Sequence, residues 1–144
     1  MRPLLKTAWL VPALAAALFL PTSGAGQGEG VRVERDVPVP MRDGVVLRAD
    51  VYRPDARGTY PVLVLRTPYG RQGVKPDAYV KAGYIVVCQD ARGRYASGGT
   101  FESFVRPQTH DAEDGYDTVE WAARLPGSSG KVGTFGASYD AFLQ

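Results

Sequence analysis

A chain of 144 residues has room for one domain, and its 17 Lys and Arg against 15 Asp and Glu give a formal net charge of +2. Two of those cations, Arg2 and Lys6, stand at the very start; without them the count is 15 to 15, and basic residues alternate with acidic ones and form no stripe, which excludes nucleic acid as a partner. One Cys and one His cannot make an internal disulfide or a metal-ligand cluster, so no metal or organic cofactor is expected.

The N-terminus reads as an export signal. Arg2 and Lys6 make a basic start, Ala8 to Leu20 is an apolar run of 13 residues broken only by Pro12, and the small Ser23 and Ala25 suit a cut after Ala25. An uncleaved anchor is the alternative, but the run falls short of the roughly 20 residues that span a bilayer. The expected organisation is a signal peptide over 1–25, a Gly-rich linker over 26–30 and one folded unit over 31–144, exported to the periplasm or beyond.

Within that unit, Val31, Val33, Val37 and Val39 alternate with polar residues up to Pro40, Asp43-Gly44 signals a turn, and Val45 to Tyr52 continues as a second strand, predicting a β-hairpin. Tyr60 to Leu65 and Tyr84 to Cys88 are short apolar runs expected as strands buried on both faces, with Cys88 a small buried hydrophobe. Between them Asp77 to Ala82 predicts a short helix stopped by Gly83. Asp90 to Pro107 is a long Gly- and Ser-rich loop, a length that is more often functional than idle. Asp111 to Leu125 predicts a helix with an acidic first turn, with Tyr116 and Trp121 as core residues. Lys131 to Phe135 predicts another strand, and a helix starts near Ser138. A hairpin followed by strand, helix, strand, helix, strand, helix points to an α/β protein with a parallel sheet.

The strand-turn-helix pattern around Gly136-Ala137-Ser138-Tyr139-Asp140 has the layout of a nucleophile elbow, in which a serine hydroxyl stands above the carboxyl edge of a sheet. A serine there needs a base to take its proton and donors to receive the oxyanion, and the backbone N–H of Tyr139 is placed for the second task. The simple Gly-x-Ser-x-Gly spacing fails at Asp140, and a serine that merely caps the next helix is the competing reading.

Five stretches carry a wider resemblance: Val39-Pro40-Met41-Arg42-Asp43-Gly44-Val45, Arg66-Thr67-Pro68-Tyr69, Gln89-Asp90-Ala91-Arg92-Gly93, Asp114-Gly115-Tyr116-Asp117-Thr118, and Gly130 through Tyr139. In this order they resemble the N-terminal part of the α/β-hydrolases that group bacterial cocaine esterase, α-amino-acid ester hydrolases, glutaryl acylases and X-Pro dipeptidyl-peptidases. The family elbow, Gly-x-Ser-Tyr-x-Gly, leaves Asp140 at a variable position and puts Ala141 where a glycine is usual. The resemblance implies an incomplete α/β-hydrolase fold ending just after the elbow, with Ser138 as nucleophile. It also implies two oxyanion donors, the Tyr69 hydroxyl and the Tyr139 backbone N–H; a tyrosine that packs a loop is the competing reading of Tyr69. His110 precedes the serine and matches no catalytic position of the family; Asp111 reads as a charge at a helix N-terminus; Asp90 and Arg92, at the mouth of the sheet, read as an ion pair fixing the loop, with a substrate contact as the alternative.

A Ser-His-Asp hydrolase of this fold takes its acid and base from residues after the nucleophile, and Gln144 follows Ser138 closely. The expectation is a segment of an exported serine hydrolase for ester or amide bonds of small molecules or short peptides, inactive by itself. The resemblance implies that further strands, a helical cap, the acid, the histidine and a C-terminal β-sandwich belong to the remainder. A short non-catalytic binding protein and the product of a broken reading frame are the alternatives.

Overall fold

The computed structural model describes residues 30–103 and 109–144; the expected signal and nearly all of the linker lie outside the described residues, as do residues 104–108 of the long loop. Strands β1 (Val31–Pro40) and β2 (Val46–Pro54) form the antiparallel hairpin, in register from Val31 opposite Pro54 to Pro40 opposite Val46. Its turn needs glycine: Gly44 has φ 86°, and the Asp43 carboxylate accepts the Val45 backbone N–H at 3.1 Å.

The chain then runs through β3 (Tyr60–Thr67), a 3₁₀ turn at Arg71–Gly73, α1 (Asp77–Lys81), β4 (Ile85–Asp90), α2 (Asp111–Ala123), β5 (Ser128–Thr134) and α3 (Tyr139–Phe142). These make one five-stranded sheet in the order β1-β2-β4-β3-β5. Strand β3 lies between β4 and β5 and is parallel to both, and the hairpin joins through an antiparallel β2–β4 pairing. Both inner strands run longer than their apolar residues suggest. The polar ends Arg66-Thr67 and Gln89-Asp90 continue the parallel ladder, because paired backbone, not side-chain polarity, decides where a strand stops.

The two faces of the sheet bury different sets. Leu47, Ala49, Val51, Val62, Val64, Ile85 and Val87 pack with Ala122 and with the half-buried Trp121 and Leu125 of the α2 side. On the other face Tyr52, Val86 and Cys88 pack with Val80 of α1. Cys88 is fully buried, and that burial pushes its thiol up to about 12, so it is an inert hydrophobe. Tyr116 departs from expectation. It is 60 % exposed, with the Arg42 guanidinium 5.2 Å from its ring, because the buried stripe of α2 runs through Asp114, Thr118 and Ala122 instead.

The alternation of valines in β1 is continuous in sequence but not in space. Between Glu34 and Val37 the register shifts, with two residues of β1 opposing the single Asp50 of β2. Asp36 sits there at φ 55° and donates its N–H to the Asp50 carboxylate at 3.0 Å. A one-residue insertion moves every later side chain to the opposite face. Val31 therefore packs with the α1-side cluster, whereas Val37 and Val39 pack with the α2-side one.

Candidate active site

Because β3 and β5 are parallel neighbours, both chains leave the sheet at the same carboxyl edge. The residues just past those ends are Tyr69 and Ser138, which are far apart in sequence and are brought to one edge by this pairing. Phe135 still donates its N–H to Val64 at 3.1 Å, and the chain then turns sharply into α3.

Ser138 occupies the turn with φ 55° and ψ −126°, and its side chain makes no capping hydrogen bond to α3. A non-glycine residue in so sparsely populated a region costs on the order of 1–3 kcal/mol and persists only where the surroundings impose it. One such constraint is Gly136, where a Cβ would come within 2.8 Å of the Asp140 backbone carbonyl carbon, so only glycine lets the helix fold back over the strand end. Ala141, at the position where the family has glycine, is exposed, and the elbow forms with its methyl group in place.

Tyr69 is 62 % exposed at the same edge, and its ring meets that of Tyr139 edge-on at a centroid distance of 6.4 Å. Phe101, from the long loop, also lies against Tyr139, at 6.3 Å, so the serine turn is bordered by aromatic rings. Beside Tyr69 lies an open cavity of about 280 Å³, lined by Tyr69, Gly70, Arg71, Gln72, Asp90 and Tyr95 among others. A second cavity of about 300 Å³ lies at the opposite edge, between Arg53, Tyr60, Ile85 and Gly127, remote from Ser138 and Tyr69.

His110 immediately precedes α2, and its Nδ1 lies 3.0 Å from the Glu102 carboxylate. Asp111 opens α2 as expected, but it also interacts with the buried Arg66. Its carbonyl accepts from Arg66 at 2.8 Å, and burial raises the pKa of its carboxyl against the opposing pull of that guanidinium. Asp90 and Arg92 do not pair with each other. Asp90, fully buried, pairs with Arg71, while Arg92 makes a two-pronged contact to Asp114 at 2.6 and 2.9 Å and reaches Asp43 at 2.8 Å. β4 ends at Asp90 and Arg92 lies in the turn beyond it, so Asp90 stays with the strand while the turn carries Arg92 to other partners.

Two arginines with structural weight, Arg66 within a family stretch and Arg71 just after it, had no role readable in the linear pattern. Arg71 lies between three carboxylates, those of Asp36 at 2.8 Å, Asp50 at 2.9 Å and Asp90. Burial works to raise the Asp50 pKa, but the Asp36 N–H and the Arg35 and Arg71 guanidinium groups hold it below the ordinary carboxylate range. Arg66 is 1 % exposed and donates to the Leu143 carbonyl at 2.6 Å, tying the end of α3 back to β3 beneath the elbow. Among the described residues no three His, Cys, Asp or Glu side chains gather so as to hold a metal ion, and no helix is long and apolar enough to cross a membrane.

The sequence pattern of X-Pro dipeptidyl-peptidase (S15 family) matches residues 43–144. The chain belongs to this family. It is 44 % identical over 115 residues to the cocaine esterase of Rhodococcus sp. (strain MB1 Bresler), an alignment covering 74 % of this chain and 19 % of that protein. Its fold superposes on an α-amino acid ester hydrolase with a TM-score of 0.69 and 29 % identity, covering 95 % of this chain and 25 % of the other. A CocE/NonD family hydrolase from Staphylococcus aureus gives a TM-score of 0.66 at 30 % identity, over 77 % of this chain and 24 % of the other. These relatives are hydrolases, and the five strands with their elbow are part of an α/β-hydrolase fold. The chain spans about a fifth to a quarter of the length of these relatives.

Proposed function

We propose that this polypeptide supplies the nucleophile and the oxyanion hole of an exported serine hydrolase that cleaves ester or amide bonds through an acyl-enzyme on Ser138. The carrying observation is the backbone of Ser138, strained at φ 55° in a strand-to-helix turn while its hydroxyl caps nothing. A hydroxyl lifted clear of the backbone at a sheet's carboxyl edge serves attack on a carbonyl, and the cost of the strained turn is met by what that position does.

In this reading the Ser138 oxygen attacks the carbonyl carbon, and the tetrahedral oxyanion is received by the Tyr139 N–H and the Tyr69 hydroxyl. Two preorganised donors are worth most at that moment, when charge sits on the oxygen. The acid and base are assigned to polypeptide beyond these 144 residues, in keeping with the share of its relatives that the chain spans. The substrate class is a small ester, amide or short peptide, and the basic, apolar start is assigned to export with cleavage near Ala25.

The test is chemical trapping. A slowly deacylating nitrophenyl ester given to the complete enzyme should leave an acyl group on the peptide containing Ser138, seen by mass spectrometry. Acyl label on another residue would overturn the assignment. Residues 26–144 alone should show no turnover above their own Ser138→Ala variant, since without a base the hydroxyl keeps its proton.

A further inference from the structure

Tyr69 can act as an oxyanion donor only if its hydroxyl is held still, yet it is 62 % exposed and lies past the end of β3, where core packing cannot fix it. What holds the segment is polar and comes largely from the loop after β4. Pro68 accepts a hydrogen bond from Arg94 Nε at 2.9 Å, and the Tyr69 N–H bonds Thr67 Oγ1 at 3.1 Å. The Tyr69 carbonyl accepts the Tyr95 hydroxyl at 2.7 Å.

Tyr95 is itself unusual. It is 66 % exposed and sits at φ 50°, a left-handed conformation that bulky residues rarely adopt. The turn around it is closed by Arg94 N–H to Ala91 at 3.0 Å, Ser97 N–H to Arg94 at 2.9 Å and Gly93 N–H to Gly98 at 2.9 Å. The Arg94 guanidinium lies 5.4 Å from the Tyr95 ring. Neither burial nor core packing explains why a tyrosine is held there. Its contacts with the neighbouring loop do. The ring covers Gly70, where a Cβ would approach a ring carbon at 2.9 Å, and the hydroxyl reaches the residue before it.

We infer that Tyr95 is a positioning residue for the oxyanion hole: its hydroxyl, bonded to the Tyr69 carbonyl, fixes the peptide plane after Tyr69 and so the direction in which the Tyr69 side chain leaves the backbone. The inference rests on the proposed role of Tyr69 and adds to it the device that sets its geometry. A donor displaced by a fraction of an ångström loses much of its hold on the transition state, whereas ground-state binding is little affected.

The test is a double-mutant cycle in the complete enzyme with a nitrophenyl ester. Tyr95→Phe keeps the ring on Gly70 and removes only the hydrogen bond. It should lower kcat about tenfold, with KM changed less than about twofold and an unaltered melting temperature, because the loss is confined to transition-state alignment. Tyr69→Phe should lower kcat by ~10²-fold. The double variant should be no slower than Tyr69→Phe, since a positioning residue has nothing left to position. If Tyr95→Phe keeps wild-type kcat while Tyr69→Phe is slow, the positioning role falls and the oxyanion assignment stands. If the two losses multiply, Tyr95 acts independently of Tyr69 and the inference is wrong. If Tyr69→Phe keeps wild-type kcat, the oxyanion assignment fails and the inference with it.

Discussion

The two sides of the sheet are built on opposite terms. On the hairpin side, β4 is buried along its whole length, and the carboxylates of Asp50 and Asp90 are taken out of water with Arg71 between them. On the elbow side, β5 is exposed or half-buried throughout, and Tyr69, Tyr95 and Phe142 are each more than 60 % exposed. The hairpin side supplies rigidity through buried apolar contacts and ionic groups that leave no low-energy alternative. The elbow side carries the groups proposed to react, held in place by strained backbone and a few hydrogen bonds. Substitutions on the first side should therefore report in stability, and those on the second in turnover.

The largest effect expected is on the elbow side. In the complete enzyme Ser138→Ala should reduce kcat by ~10⁴-fold or more without changing the melting temperature, because removing the proposed nucleophile leaves only oxyanion stabilisation and binding. Wild-type turnover from that variant would end the distinction between the two sides. On the hairpin side, Arg71→Ala leaves the buried Asp90 carboxylate without its ionic partner and Asp50 with Arg35 alone, and should cost about 3–5 kcal/mol in denaturant unfolding. A loss below ~1 kcal/mol would show that water reaches Asp50 and Asp90 and that this side is less rigid than its burial indicates. Tyr69→Phe should cost ~10²-fold in kcat, about 2.7 kcal/mol at the transition state, and leave unfolding unchanged.

The smallest effect belongs to a surface pair that touches neither region's special chemistry. Arg42 binds the Asp117 carboxylate with 2.7 and 3.0 Å hydrogen bonds and thereby holds its pKa below the ordinary value. A carboxyl with a lowered folded pKa adds stability above its unfolded value of ~4, and that contribution disappears as pH falls through the folded value. Arg42→Ala should therefore melt slightly below wild type at pH 6 and coincide with it at a pH low enough to protonate Asp117 in both proteins. An unchanged gap at low pH would show that Arg42 acts through its packing on Tyr116 and not through charge. High salt should also narrow the gap, as for any exposed pair.

Much of this architecture was legible in the linear chain. The hairpin followed from the valine alternation and Asp43-Gly44, and the buried strands from their apolar runs. The elbow followed from a glycine two residues before a serine at the end of a strand. These signals are local, because each depends on backbone conformations that neighbouring residues impose on one another. The stretches that carry the family resemblance also turn out to meet in space. Arg92 of one bridges Asp43 of another and Asp114 of a third, and Arg42 reaches Asp117. The positions were readable as a set before the contacts that join them were known.

What the chain order could not determine is which partner each charge takes and which face each side chain serves. The valines of β1 read as one continuous face, but the bulge opposite Asp50 divides them between two clusters. Asp90 and Arg92 read as partners, but β4 ends at Asp90 and the turn after it sends Arg92 to a different one. Tyr116 read as core, but the neighbouring helix positions Asp114 and Thr118 took the buried face because Arg66, Arg92 and Gln89 offered them polar partners there. Residue types and spacing determined the elements and the serine at the turn, since those arise from local sterics and solvation. Tertiary structure alone decided that Tyr69 and Ser138 share one edge and that Tyr95 clamps the loop of Tyr69, because parallel strand pairing and a left-handed turn join residues that no local pattern relates.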